Sequence, residues 1–291
     1  MPRAARHIAG TGVPQGMPPG GGQASLNAEG SMSDYDRNAV RWGQGGAQVR
    51  GAVDQGLRTF MIGVYNNMMI GLVITGVVAY AINQLAVAGA GEHAQAMMGH
   101  IPLTAFGVAI YGSPLRWIVM LLPLAFVMFF SFRINSMSAS SARTLFFAFS
   151  AAMGLSLSSI LLVYTGASVY RAFFITAAAF GSLSLYGYTT KRDLSPMGTF
   201  LMMGVFGLII AMLVNVVFMH STSFQFALSA LSVLIFSGLT AWDTQAIKEM
   251  YFSGDGHEVM TKKSVNGALM LYLDFINIFQ SLLYLTGSRN N

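Results

Sequence analysis

Seven apolar stretches, each close to the roughly 20 residues that a bilayer-crossing helix needs, dominate this chain. They run from Phe60 to Leu85, Pro114 to Phe132, Thr144 to Tyr164, Val169 to Thr189, Pro196 to Met219, Phe224 to Trp242 and Gly267 to Leu285. With 54% hydrophobic and only 9% charged residues among 291, the chain has too few polar side chains to clothe a soluble globule. The expected fold is therefore all-α, a polytopic integral membrane protein with seven transmembrane helices. Ile101 to Tyr111 is apolar but too short to span, and is read as an interfacial or outer-loop segment.

Local signals agree with these spans. Ser113-Pro114 and Ser195-Pro196 place proline in a first turn, where its missing N–H costs nothing. Pro123, in mid-span, predicts a kink. Small residues at Ala148, Ala152 and Ser156, and at Ala177 and Gly181, mark faces where helices could approach closely. Residues 1–56 are rich in Gly, Pro and polar residues without apolar periodicity, and are expected to be a disordered tail. They lack a signal-peptide core, so the first hydrophobic segment is expected to stay in the mature protein. The membrane domain is expected over residues 57–291.

Charge sets an orientation. With the N-terminus in the cytoplasm, thirteen of the 16 lysines and arginines fall on that side, and only Arg116, Arg171 and Arg289 fall opposite. This bias explains the net charge of +5 without a nucleic-acid partner. Seven full crossings would place the C-terminus outside, whereas a re-entrant last segment would return it to the cytoplasm. Cysteine is absent, which excludes disulfides, thiolate metal sites and cysteine nucleophiles.

Two aspartates interrupt the last two spans. Asp243 lies in Ser237-Gly238-Leu239-Thr240-Ala241-Trp242-Asp243-Thr244-Gln245, and Asp274 in Leu271-Tyr272-Leu273-Asp274-Phe275-Ile276-Asn277. A carboxyl group at membrane depth is costly and marks a functional site by default. Asp243 ends the sixth span, and Asp274 lies about seven residues, about 10 Å, into the seventh as it returns. Both fall in the inner leaflet if helix six continues through Lys248. Gly267, Asp274, Asn277 and Ser281 form one polar stripe, expected to face the bundle interior. The plainer alternative is that each acid only hydrogen-bonds a neighbouring helix.

These two stretches, Phe236 to Lys248 and Leu271 to Phe279, resemble the signature ends of the Bax inhibitor-1 family, also called the transmembrane Bax inhibitor motif family. The resemblance extends in hydropathy over about residues 57 to 286. It implies a seven-span helical fold with the last helix central, and a pH-sensitive calcium leak governed by Asp243 and Asp274. It also implies an arginine on the second helix that latches to the acids. Arg133, in Phe132-Arg133-Ile134-Asn135, matches that position, and Arg143 is a second candidate. An acidic residue that some bacterial relatives carry in mid-helix two is missing, with Leu122-Pro123-Leu124 in that region.

Elementary electrostatics supports a gate of this kind. Two carboxylates about 4 Å apart at an effective dielectric near 20 repel by about 4 kcal/mol. Such a pair holds one proton between its members and titrates as a unit. With the proton, helices six and seven are joined; without it, two charges favour separation, cation binding or pairing with Arg133. Calcium would bind weakly to Asp243 and Asp274, because a tight site takes about six to eight oxygens. Weak binding suits a permeant ion that must leave as readily as it enters.

Other chemistry fits poorly. His7, His93, His100, His220 and His257 are scattered over tail and loops, without carboxylates at metal-site spacing, so no catalytic metal and no cofactor is expected. An intramembrane aspartyl protease would carry Gly-x-Gly-Asp at its second acid, where this chain has Leu271-Tyr272-Leu273-Asp274. The expectation is a non-enzymatic cation channel in a bacterial inner membrane, its partners the bilayer and calcium. The alternative is a modulator that binds a membrane protease or another membrane protein through its tail and cytoplasmic loop 244–266.

Overall fold

The computed structural model describes residues 28–89, 94–98, 100–134 and 136–290, with side chains from Asp54 onward. The chain divides into two units at Ala52 and Val53. Helix α1 spans Ala28–Ala86, so helix occupies residues from 28 onward in the stretch expected as tail. Residues 1–27 of that expectation lie outside the described residues.

All seven expected spans are helices long and apolar enough to cross a membrane. The apolar part of α1, Asp54–Ala86, is followed by α2 at Leu115–Arg133 and α3 at Ala139–Leu157, which resumes at Ile160–Val163. Then come α4 (Gly166–Thr189), α5 (Ser195–Val214, closed by a π-turn at Asn215–Met219), α6 (Thr222–Glu249) and α7 (His257–Thr286). Serine and threonine start several of them: Ser138, Thr165 and Ser221 accept the N–H of Ser141, Ser168 and Phe224, each satisfying a donor that the helix leaves open. Pro114 sits immediately before α2, and Pro196 lies in the first turn of α5. His220 ends the π-turn with a left-handed φ of 48°, a conformation in which histidine is over-represented among non-glycine residues.

Two differences from the sequence reading have clear causes. The segment after α1 forms a hairpin of β1 (Ala96–Met98) and β2 (Ile101–Leu103), then a short helix at Ala105–Gly107 and a π-turn at Val108–Gly112. Thr104 anchors it by donating to the Leu85 carbonyl at 2.8 Å. Helix α7 begins at His257, ten residues before the expected Gly267, because its first turns carry Glu258, Lys262 and Lys263 and so escape a hydropathy reading.

The last helix contributes most to the interior. Of the apolar window of α7, 56% is buried, against 39% for α3 and α6 and 11% for α2 and α5. Tyr272 on α7 packs edge-on against Phe146 and Phe149 of α3. Its hydroxyl meets Thr75 of α1 at 2.6 Å, and Thr75 also reaches the carbonyls of Gly71 and Ser150. These contacts make an asymmetric prediction. Tyr272→Phe leaves Thr75 with two acceptors and costs about 1 kcal/mol, while Thr75→Val strands a buried phenol and costs about 2 kcal/mol. Thermal melting of the two variants in detergent checks the order.

Close approach occurs where a glycine meets backbone. A Cβ on Gly154 would stand 2.6 Å from the Thr75 carbonyl oxygen, and one on Gly187 would collide with the Ala241 carbonyl. Gly181, expected on such a face, instead looks into open space.

The C-terminus lies at the far end of α7 from the α6–α7 connection. Ser288 accepts from Thr165 N–H at 3.0 Å, and Asn290 N–H donates to Val163 at 2.9 Å. The last segment thus runs as one continuous helix from the α6–α7 connection to the α3–α4 connection.

Candidate functional site

Helices α6 and α7 form an antiparallel hairpin whose register is set by small contacts. Near the turn, Gly267 lies against Ile247, and toward the other end Ser281 donates to Ser232 at 2.8 Å. Between these two points the hairpin brings Asp243 and Asp274 together. Asp243 is 7% exposed and Asp274 3% exposed. The two carboxyl groups face each other within hydrogen-bonding range, and Thr240 adjoins Asp274. The Asp274 Oδ2 atom is buried and receives no hydrogen bond from a protein donor. In a close-packed interior such an atom is expensive.

Thr244, next to Asp243 in sequence, ends a chain of hydroxyl groups from two other helices. Tyr65 of α1 meets Ser184 of α4 at 2.6 Å, and Ser184 meets Thr244 of α6 at 2.9 Å. Thr244 donates onward to the Thr240 carbonyl at 2.7 Å, so its contact with Ser184 is as acceptor. Gln245 reaches the α4–α5 connection: its Oε1 accepts from Leu194 N–H and its Nε2 donates to the Arg192 carbonyl, both at 2.8 Å. Lys248 donates to the Tyr188 carbonyl at 2.9 Å and sits over the Tyr188 ring. Nothing in the sequence singled out Tyr65 or Ser184; a lone hydroxyl in an apolar helix is the only signal they give.

The polar stripe on α7 faces inward at three of its four positions. Gly267, Asp274 and Ser281 are buried, while Asn277 is half-buried and donates to the Leu273 carbonyl of its own helix at 2.8 Å. Arg133 is not brought to the acids. It is exposed at the end of α2, and Arg143 is exposed on the first turns of α3. Among the described residues the ion pairs are Lys262 with Glu258 and Lys263 with Asp255 at 2.6 Å, both beside the α6–α7 connection.

Metal chemistry has only the two acids to draw on here. His100, His220 and His257 are exposed, and His7 and His93 lie outside the described residues. Among the described residues no three His, Asp or Glu side chains gather where they could hold an ion. Two carboxyl groups and a threonine fall short of the about six oxygens of a tight calcium site. Outside the spans, the exposed Asp193 accepts from Ser195 N–H at 2.9 Å. That backbone bond, helped by the Ser195 hydroxyl, holds its carboxyl below the usual range.

The chain is similar to known proteins over nearly all of this membrane unit. Residues 57–291 match the family described as inhibitor of apoptosis-promoting Bax1. The Escherichia coli inner membrane protein YbhL is 41% identical over 237 residues, which cover 80% of this chain and 93% of that protein. An uncharacterised protein of Rickettsia prowazekii is 42% identical over 238 residues, 82% of this chain and 93% of its own length. One of Caulobacter vibrioides is 42% identical over 239 residues, with 82% and 92% covered.

Proposed function

The chain belongs to the Bax inhibitor-1 family, and from that premise we propose that it is a pH-sensitive cation leak, permeable to calcium, whose gate is the pair Asp243 and Asp274. The observation that carries this reading is the burial of both acids against each other between α6 and α7. A single proton held between them joins the two carboxyl groups by a strong hydrogen bond and locks the hairpin closed. Its loss places two like charges in a low-dielectric interior, where repulsion of about 4 kcal/mol is enough to shift a two-state equilibrium by several hundredfold. In this reading the conformation described above corresponds to the closed state, a reading supported by the burial of both acids.

Arg133 acts in the open arrangement. Helix α2 is among the least buried of the spans, so displacing it breaks few contacts and can bring its last turn over the ionised acids. The protein is non-enzymatic in this reading: the acid pair takes up and releases a proton and binds no peptide substrate. We place it in a bacterial inner membrane with its N-terminus in the cytoplasm, following the charge bias and the inner-membrane relative.

Calcium flux into proteoliposomes of the full chain, measured across roughly pH 5 to 8 against protein-free vesicles, tests the assignment. The expected result is protein-dependent flux that changes about tenfold or more over this range, one unit of coupled protonation free energy. Absence of protein-dependent flux at every pH would move the assignment to the modulator that binds a membrane protease or another membrane protein.

A further inference from the structure

At the end of the bundle remote from the acids, a cleft of about 330 Å³ opens between the first turns of α2, the last turns of α3 and the hairpin segment. Its walls are mostly apolar, with Ile110, Val119, Met120 and Leu162 among them. Two serines, Ser156 and Ser159, also line it together with Tyr111, and Ser159 already donates to the Ser156 carbonyl at 3.1 Å. The cleft exists because α3 is interrupted at Ser158 and Ser159, where Ser158 turns away to meet Tyr111 at 2.7 Å. Ser156, which the sequence placed on a close-packing stripe, thereby lines open space.

At the mouth stand Arg116 and Trp117, the guanidinium 5.2 Å from the ring centroid. Arg116 is exposed and has no acidic partner among the described residues. It is one of only three basic residues on a side that the charge rule leaves nearly bare. The α2 span starts one residue before it, at Leu115, so the cation sits at headgroup level. Met120 lies about 6 Å deeper along the helix. The volume falls at the lower end of the range of small-ligand pockets.

We propose that this cleft is a binding site for a single anionic phospholipid, with an acyl chain along the apolar wall and the phosphate on Arg116. The complementarity is one of charge and polarity: an uncompensated cation at the mouth, beside a mostly apolar wall that two serine hydroxyl groups interrupt. Trp117 covers the guanidinium from one side, leaving the other free for phosphate oxygens. This site is separate from the aspartate pair and does not depend on the gating assignment.

Native mass spectrometry of the full chain, extracted from vesicles of equal phosphatidylglycerol and phosphatidylcholine, tests it. Wild type is expected to retain one phospholipid with phosphatidylglycerol favoured. Arg116→Gln, an exposed change that the fold tolerates, should lower phosphatidylglycerol retention about fivefold, and Arg116→Lys should keep most of it. Ser156→Trp, which fills the cleft, should lower retention of both lipids. Equal retention in wild type and Arg116→Gln overturns the proposal, whether the lipid is lost from Ser156→Trp or not. Loss in the filled variant alone would mark the cleft as a site for an uncharged apolar ligand.

Discussion

Vesicles holding the double variant Asp243→Asn, Asp274→Asn will show calcium flux that no longer varies between roughly pH 5 and 8. Asparagine has nearly the shape of aspartate, so the hairpin contacts at Gly267 and Ile247 and at Ser281 and Ser232 are left in place. Amide groups still hydrogen-bond between the helices, and what is removed is the ability to gain or lose charge. Each single variant keeps one ionisable group and so keeps a pH response with a moved midpoint. The double variant has none, and its flux is fixed at one level about tenfold from one extreme of the wild-type curve. A double variant with the wild-type profile would place the sensor elsewhere and end the case for the acid pair.

The second large effect is structural. Gly187→Ala should cost about 3 kcal/mol and lower the melting temperature in detergent by on the order of 10 °C. The added Cβ meets the Ala241 carbonyl, which belongs to helical backbone and cannot swing aside as a flexible side chain would. Helices α4 and α6 must separate, and the contact between Ser184 and Thr244, 2.9 Å in the native protein, goes with them. Gly181→Ala is the control. It lies on the same helix, its Cβ meets no atom within 4 Å, and the gain in helix propensity makes it neutral or slightly stabilising. Equal losses in both variants would show that helix flexibility, not close approach, is what glycine contributes to α4.

The contrast between these two glycines shows where the sequence is readable and where it is not. Spans are legible because the bilayer imposes one length and one polarity on each of them, a constraint visible in any window of about 20 residues. The aspartates are legible because a charge in such a window has few reasons to be there. Which face of a helix meets which neighbour depends on tertiary packing. Gly181 and Gly187, six positions apart, look alike until α6 is placed beside one of them. Thr75 and Ser184 are hidden for a related reason. A helical hydroxyl can satisfy itself on the carbonyl four residues back, as Thr176 does with Ala172 at 2.8 Å, so its presence alone does not announce a bond to another helix. The hairpin at Ala96–Leu103 escaped because its two strands are three residues each, too short for alternation to register.

The C-terminal residues bear on how the proposed gate would have to open. Ser288 and Asn290 tether one end of α7 to the α3–α4 connection. At the opposite end Lys263 is held by Asp255 at 2.6 Å and by the Met250 carbonyl at 2.9 Å. A rod fastened at both ends cannot travel along its axis like a piston. It can bow or roll, and either motion is greatest near the middle, where Asp274 lies.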